Sequence, residues 1–170
     1  MTPLVSIIMG STSDMPVMED AAKFLNDMQI PFEINALSAH RTPELVADFA
    51  HNAASRGIKV IIAAAGGAAH LPGVIAASTT LPVIGVPIRT QMGMEAWDAM
   101  LSIIQMPPGI PVATVGVNAA RNAAILACEI MALGNDSIRE KVVKFKSTLA
   151  AKITKANEDL AKIKYEYKTN

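Results

Sequence analysis

The feature that most restricts this chain is a series of short, largely aliphatic and β-branched runs, most of them without alternating polar residues, each followed by a polar or Gly-rich turn and then by a helical pattern. Leu4 to Met9 leads through Gly10-Ser11-Thr12-Ser13-Asp14 to a helix from Pro16 to about Met28. Phe32 to Leu37 leads through Ser38-Ala39-His40-Arg41-Thr42-Pro43 to a helix from Glu44 to about Arg56, with Leu45, Phe49 and Ala53 on one face. Lys59 to Ala65 runs into Gly66-Gly67-Ala68-Ala69-His70-Leu71-Pro72-Gly73 and a short Ala-rich helix to about Thr79. Pro82 to Val86 precedes Pro87-Ile88-Arg89-Thr90 and a helix near Glu95 to Ile104, and Val112 to Val117 precedes a helix from Asn118 to about Leu133. Strands that are apolar at every position must be covered on both faces, and helices between them force parallel pairing with right-handed crossovers. The expected fold is therefore an α/β three-layer sandwich with a five-stranded parallel sheet. The number of units fits a doubly wound, flavodoxin-like order, although strand order itself is not encoded in any pattern that can be counted.

At 170 residues the chain has room for one core. Its formal charge is zero, which removes the overall field that would draw in a polyphosphate backbone or an anionic membrane. Only 4% of residues are aromatic while 28 are Ala, so the core is expected to be built from small and branched side chains, and cofactors gripped by aromatic sandwiches are disfavoured. The single cysteine, Cys128, excludes an internal disulfide and reads as a small buried hydrophobe. The apolar runs fall short of the roughly 20 residues of a membrane span, and no basic-then-apolar leader precedes Leu4, so a cytoplasmic location is expected.

The last part of the chain differs from the rest. Residues 136–170 carry nine Lys or Arg against five acids, whereas residues 1–135 carry six against ten. Ile138, Val142, Phe145, Leu149, Ile153, Ala156, Leu160, Ile163 and Tyr167 recur at steps of three and four, the signature of one long amphipathic helix with solvated lysines on its back. The expected division is a domain over 1–135 and a C-terminal helix over 136–170 that packs on the domain or, being long enough to overhang it, on a neighbouring subunit.

In an open parallel sheet the ligand site lies beyond the carboxyl ends of the strands, where helix N-termini present free N–H groups. The distinctive polar residues all fall there: Ser11, Ser13 and Asp14 after the first strand, Ser38, His40 and Arg41 after the second, Gly66 and His70 after the third. Hydroxyls and amides in the first loop suit a phosphate monoester, though Ser13 or Asp14 could simply cap the following helix. The loop has neither a Walker lysine nor dinucleotide-fingerprint spacing. Arg41 could bind phosphate oxygens in a bidentate manner or form an ordinary surface ion pair. His40 could move a proton near neutrality or merely bond within its turn, and His70 closes a loop almost free of side chains, where backbone can approach a planar ligand. His51 reads as solvent-exposed. The three His and one Cys show no metal-ligand spacing.

Together, Met9 to Asp14, Ser38 to Pro43, Ala65 to Gly73 and Gln105-Met106-Pro107-Pro108-Gly109-Ile110-Pro111-Val112 resemble, in matching order over about residues 4–133, the 5-(carboxyamino)imidazole ribonucleotide mutase family of purine biosynthesis. The resemblance implies the flavodoxin-like fold, a homo-octamer, no metal or organic cofactor, and a carboxyl transfer within a nucleotide by way of CO2. It implies ribose-phosphate ligands at Ser11, Asp14 and Arg41 with Ser13 and Ser38 nearby, proton transfer by His40, an imidazole and CO2 pocket at Gly66 and His70, and a mobile cover formed by Gln105 to Pro111. The segment Val117 to Asn122 is shorter than the glycine-containing version of many members. A carboxylase of the same superfamily that takes free CO2 is the near alternative. A flavin electron carrier is a remote one, since no aromatic residue stands in the strand-end loops, and a phosphoacceptor signalling domain would need acids where Ala65-Gly66-Gly67 stands.

Overall fold

The computed structural model describes all 170 residues and contains five strands and six α-helices. They are β1 (Val5–Met9), α1 (Met15–Asp27), β2 (Phe32–Ala36), α2 (Pro43–Asn52), β3 (Val60–Gly66), α3 (Leu71–Ala77), β4 (Val83–Ile88), α4 (Trp97–Ile104), β5 (Ala113–Thr114), α5 (Ala120–Ala132) and α6 (Asp136–Ala161). The sheet is parallel throughout, in the order β2-β1-β3-β4-β5, which is the flavodoxin-like order.

The non-alternating strands do what their composition requires. Every residue of β1 and β4 is buried, as are the first six of β3. Val5, Ile7, Met9, Ile62 and Val86 pack beneath α1 and α5, while Ile8, Ile61, Val83 and Ala63 pack beneath α2, α3 and α4. Each fully buried Ile or Val side chain contributes about 1.5–3 kcal/mol relative to exposure. Ala120, Ala123, Ala124 and Ala127 line the buried face of α5 beside Cys128, which is where the abundance of alanine lets helix and sheet approach closely. Cys128 is the buried small hydrophobe anticipated, and burial pushes its thiol up to about 11.

Three boundaries differ from the sequence reading, each for a backbone reason. Glu95 and Ala96 sit at positive φ (53° and 70°), so α4 starts at Trp97. Asn118, at φ 55°, likewise delays α5 to Ala120. The fifth strand, expected over Val112 to Val117, pairs regularly only at Ala113 and Thr114; its contact with β4 continues irregularly through Val115 N to Gly85 O (3.1 Å) and Asn118 N to Pro87 O (2.9 Å).

The C-terminal helix is 26 residues long, about 39 Å at 1.5 Å per residue, and its stripe is only half used. Ile138 is buried, and Phe145 meets Phe24 of α1 edge to face with ring centroids 5.0 Å apart. Lys141 Nζ donates to the Met28 carbonyl at the end of α1 (2.9 Å). Beyond Phe145 the stripe continues into solvent: Leu149, Ile153, Leu160 and Ile163 are all exposed. The helix ends at Ala161 rather than running to Tyr167, as expected of a helix terminus with no tertiary surface to hold it. None of the helices is long and apolar enough to cross a membrane.

Candidate active site

The parallel strands all end at one rim, and the crossover order fixes which turns become neighbours there. Because β1 lies between β2 and β3, the turns after these three strands stand side by side, followed by the turn after β4. A cavity of about 400 Å³ opens at this rim. Ser11, Ser13 and Asp14 line it from the first turn, Ser38, His40 and Arg41 from the second, and Gly66 from the third.

Each turn is held by local chemistry. Ser11 is the N-cap of a single 3₁₀ turn, Thr12–Asp14, its hydroxyl accepting from Ser13 N at 3.4 Å. Ser11 caps only this turn; Asp14 occupies the N-cap position of α1 but makes no side-chain capping hydrogen bond there. Asp14 instead sits in the cavity wall, 8% exposed, where its Oδ1 accepts from Ser13 Oγ at 3.3 Å. Burial raises its carboxyl above the ordinary carboxylate range, with the Ser13 hydrogen bond opposing. In the second turn, Thr42 Oγ1 accepts from Ser38 N (3.0 Å) and donates to Ser38 O (3.1 Å), closing the loop and leaving His40 and Arg41 at its tip. Arg41 reaches across to the first turn: Nη2 donates to Gly10 O at 2.7 Å, and Nε to Ser38 Oγ at 3.3 Å. A guanidinium is thereby fixed between the two hydroxyl-bearing turns, although Arg41 and His40 are both exposed at the rim.

His70 does not line the cavity itself, but it is joined to it. His40 Nε2 and His70 Nδ1 lie 2.9 Å apart with their rings nearly perpendicular, so while that contact lasts the two facing nitrogens share a single proton. The third turn is narrow for a steric reason: a Cβ on Gly66 would lie 2.3 Å from Thr90 Cγ2 and 3.0 Å from Ile88 O.

The sequence reading missed Thr90, which lines the cavity from the turn after β4. Its place after the fourth strand was the available signal, but a lone Thr carries no distinctive chemistry. It also missed the Arg41 contact with Gly10, which spans 31 positions in sequence. Residues 105–111, expected as a cover, contribute nothing to the cavity wall; the Met106 side chain packs instead against Gly73 in the first turn of α3. His51 is exposed as expected. No Phe, Tyr or Trp lines the cavity, and Trp97 lies exposed on α4, so a flavin ring would find no aromatic surface to stack on. Nowhere do three His, Cys, Asp or Glu side chains gather closely enough to hold a metal ion.

The site can therefore grip an anionic group between hydroxyls and a guanidinium, accept or donate hydrogen bonds through a buried carboxyl, and exchange a proton through an imidazole beside a slot lined by Gly and Ala. The model of a family described as AIR carboxylase matches residues 4–152. An N5-carboxyaminoimidazole ribonucleotide mutase of Pyrococcus abyssi is 56% identical over 147 residues, 86% of this chain and 84% of that protein. A phosphoribosylaminoimidazole carboxylase of Schizosaccharomyces pombe is 47% identical over 95% of this chain, which spans 29% of that longer protein. Among solved structures, Treponema denticola PurE superimposes with a TM-score of 0.84 at 31% identity, covering 93% of this chain and 98% of the other.

Proposed function

Because the chain belongs to the AIR carboxylase family, we propose that it is an isomerase of purine biosynthesis that converts N5-carboxyaminoimidazole ribonucleotide to the 4-carboxylate of 5-aminoimidazole ribonucleotide. The observation that carries the residue assignments is the convergence of the turns after β1, β2 and β3 on one cavity, with Arg41 tied to both Gly10 and Ser38.

In this reading the phosphate lies between the Arg41 guanidinium and the Ser11 and Ser13 hydroxyls, with Ser38 setting the angle of the guanidinium. A carboxylate beside a phosphate would repel it, so Asp14 serves the ribose hydroxyls. The imidazole lies over Gly66, near His70. The bond between the exocyclic nitrogen and the carboxyl carbon breaks as His40 delivers a proton to that nitrogen, releasing CO2. The neighbouring ring carbon, enriched in electrons by the amine, attacks the retained CO2 and for a moment carries both hydrogen and carboxylate. His40, now neutral, removes that hydrogen and restores aromaticity. One proton has moved from carbon to nitrogen, and no other reactant is consumed. Retention of CO2 keeps both reactants in one site, an advantage forfeited if it diffuses away.

Removing a general acid-base typically lowers turnover by about 10²–10⁴-fold, so His40→Asn should lose at least a hundredfold in kcat while nucleotide affinity stays within severalfold. Retained turnover would remove His40 from the mechanism. The Schizosaccharomyces pombe relative motivates the second reading, a carboxylase using free CO2. Turnover of the carboxyamino substrate that persists undiminished while a scavenger removes free CO2 supports the mutase; turnover that needs added CO2 supports the carboxylase.

The exposed apolar half of α6, within a C-terminal segment (136–170) opposite in charge to residues 1–135, supports packing on a neighbouring subunit within a homo-octamer, and the reaction's pathway supports a cytoplasmic location.

A further inference from the structure

Two apolar surfaces of this molecule stand bare, on opposite sides of the sheet. One is the distal stripe of α6, where Leu149, Ile153 and Leu160 are exposed. The other is the outer side of α4 and the loop before it. Trp97, Leu101 and Ile104 recur there at steps of four and three, away from the buried Ala99 and Ile103, and Met92 and Met94 stand exposed just ahead of them. Exposed apolar residues met singly are ordinary, whereas a run of large ones along one helix face marks a surface made to be covered.

The molecule cannot join the two within itself. The first half of α6 is fixed through Ile138, Val142 and Phe145 to the α1 and α5 side of the core, whereas Ala99 and Ile103 hold α4 in the cluster on the α2 and α3 side. The helix α6 continues unbroken to Ala161, so its stripe cannot turn round the sheet to reach α4 of the same chain. Charge then decides how copies meet. Residues 149–164 carry Lys152, Lys155, Lys162 and Lys164 against Glu158 and Asp159, while residues 91–104 carry Asp98 and Glu95, the latter paired with Arg89, and no Lys or Arg. Two α6 stripes face to face would set lysines against lysines, and two α4 faces acid against acid; α6 on α4 brings opposite signs together. The lengths agree as well: at 1.5 Å per residue Leu149 to Leu160 spans about 16 Å, and Trp97 to Ile104 about 10 Å, with Met92 and Met94 extending it.

Resting on the reading above that α6 packs on a neighbouring subunit, we infer that the α4 face of a second copy receives it, the distal stripe of one chain lying across Trp97, Leu101 and Ile104 of the next. Such a contact is heterologous, and repeated around a closed ring it leaves neither face bare. The receiving face begins just after the turn that carries Thr90 in the cavity wall, so the neighbour's helix comes to lie near the rim of the site. The test mixes two full-length variants. Leu101→Lys opposes the basic helix and spares α6; Ile153→Glu opposes the acidic face and spares α4. Light scattering should give each alone a lower mass than the parent at equal concentration. Their equimolar mixture should be heavier than either, because the intact α6 of the first meets the intact α4 of the second. Trp97, the only tryptophan, reports directly: Ile153→Glu, remote from it in its own chain, should shift its emission to longer wavelength. With an oligomeric parent, Leu101→Lys at the parent's mass, a mixture no heavier than its parts, or an unmoved Trp97 emission would overturn the α4 assignment alone. A monomeric parent, or Ile153→Glu at the parent's mass, would overturn the reading of α6 beneath it. Should Leu101→Lys fail to fold, Trp97→Gln carries the same expectation of mass.

Discussion

Placing a single methyl group at Gly66 tests the geometry of the slot most sharply. In Gly66→Ala the new Cβ would stand 2.3 Å from Thr90 Cγ2 and 3.0 Å from Ile88 O, where ordinary van der Waals contact begins near 3.4 Å. The backbone cannot withdraw easily, because Gly66 is the last residue of β3 and is registered against Ile88 of β4. Gly66 is not in the left-handed region, so the strain is purely steric and must be relieved at Thr90. Overpacking of this kind costs roughly 1–3 kcal/mol, and for a chain of this size each kcal/mol lowers Tm by about 2–4 °C, so a fall of roughly 2–12 °C is expected. Thr90→Ser deletes the offending methyl, so the double variant Gly66→Ala/Thr90→Ser should recover the greater part of that loss, the two changes being strongly non-additive. Differential scanning calorimetry at fixed protein concentration reads both effects, and kcat/KM should fall in the single variant as Thr90 is pushed from its position. A Gly66→Ala protein with unchanged Tm and kcat/KM, or a double variant no better than the single, would refute the reasoning.

Three further outcomes are expected. Arg41→Ala should raise KM by about 10–100-fold, the usual range for hydrogen bonds to a charged group, with a much smaller change in kcat; an unaltered KM would contradict phosphate binding there. Asp14→Asn should raise Tm in the absence of nucleotide: the native carboxyl holds its proton more tightly than the unfolded one, so the native state loses stability as pH rises from the ordinary carboxylate range through the raised value. The gain over the parent should therefore grow as pH rises through the raised value and vanish in acid, which Tm measured against pH will show. Truncation after Thr148 keeps Ile138, Val142 and Phe145 on the core, so far-ultraviolet dichroism per helical residue should hold while light scattering reports a smaller assembly; an unchanged subunit number would remove the exposed half of α6 from the interface.

The fold was legible because its information is periodic. Runs such as Val60 to Ala65 can only be covered on both faces, and a helix between each pair leaves parallel pairing as the one arrangement. What sequence could not supply were single-residue backbone choices: the positive φ values of Glu95, Ala96 and Asn118 shifted two helix starts without any Gly to announce them. The site was legible to the extent that function sits where loops meet helix starts, which placed Ser11, Asp14, His40, Arg41 and Gly66 together before their distances were known. The contacts that tie the turns to one another were not legible. Arg41 to Gly10 and His40 to His70 join positions about thirty residues apart, and they depend on strand order, which no local pattern specifies. Thr90 in the cavity wall was not legible either, because its methyl packs where Gly66 has no side chain, a relation visible only across the β3–β4 pair. The same absence of tertiary context hid the end of α6, where the apolar stripe continues past Ala161 but nothing is present for it to pack on.

A crystal of the protein soaked with the 4-carboxylated nucleotide tests the central claim most directly. The account predicts the phosphate within hydrogen-bonding distance of the Arg41 guanidinium and the Ser11 and Ser13 hydroxyls, and the imidazole across Gly66 with His40 beside ring carbon 4. Nucleotide bound with its phosphate remote from Arg41, or seated outside the rim shared by the turns after β1, β2 and β3, would contradict it.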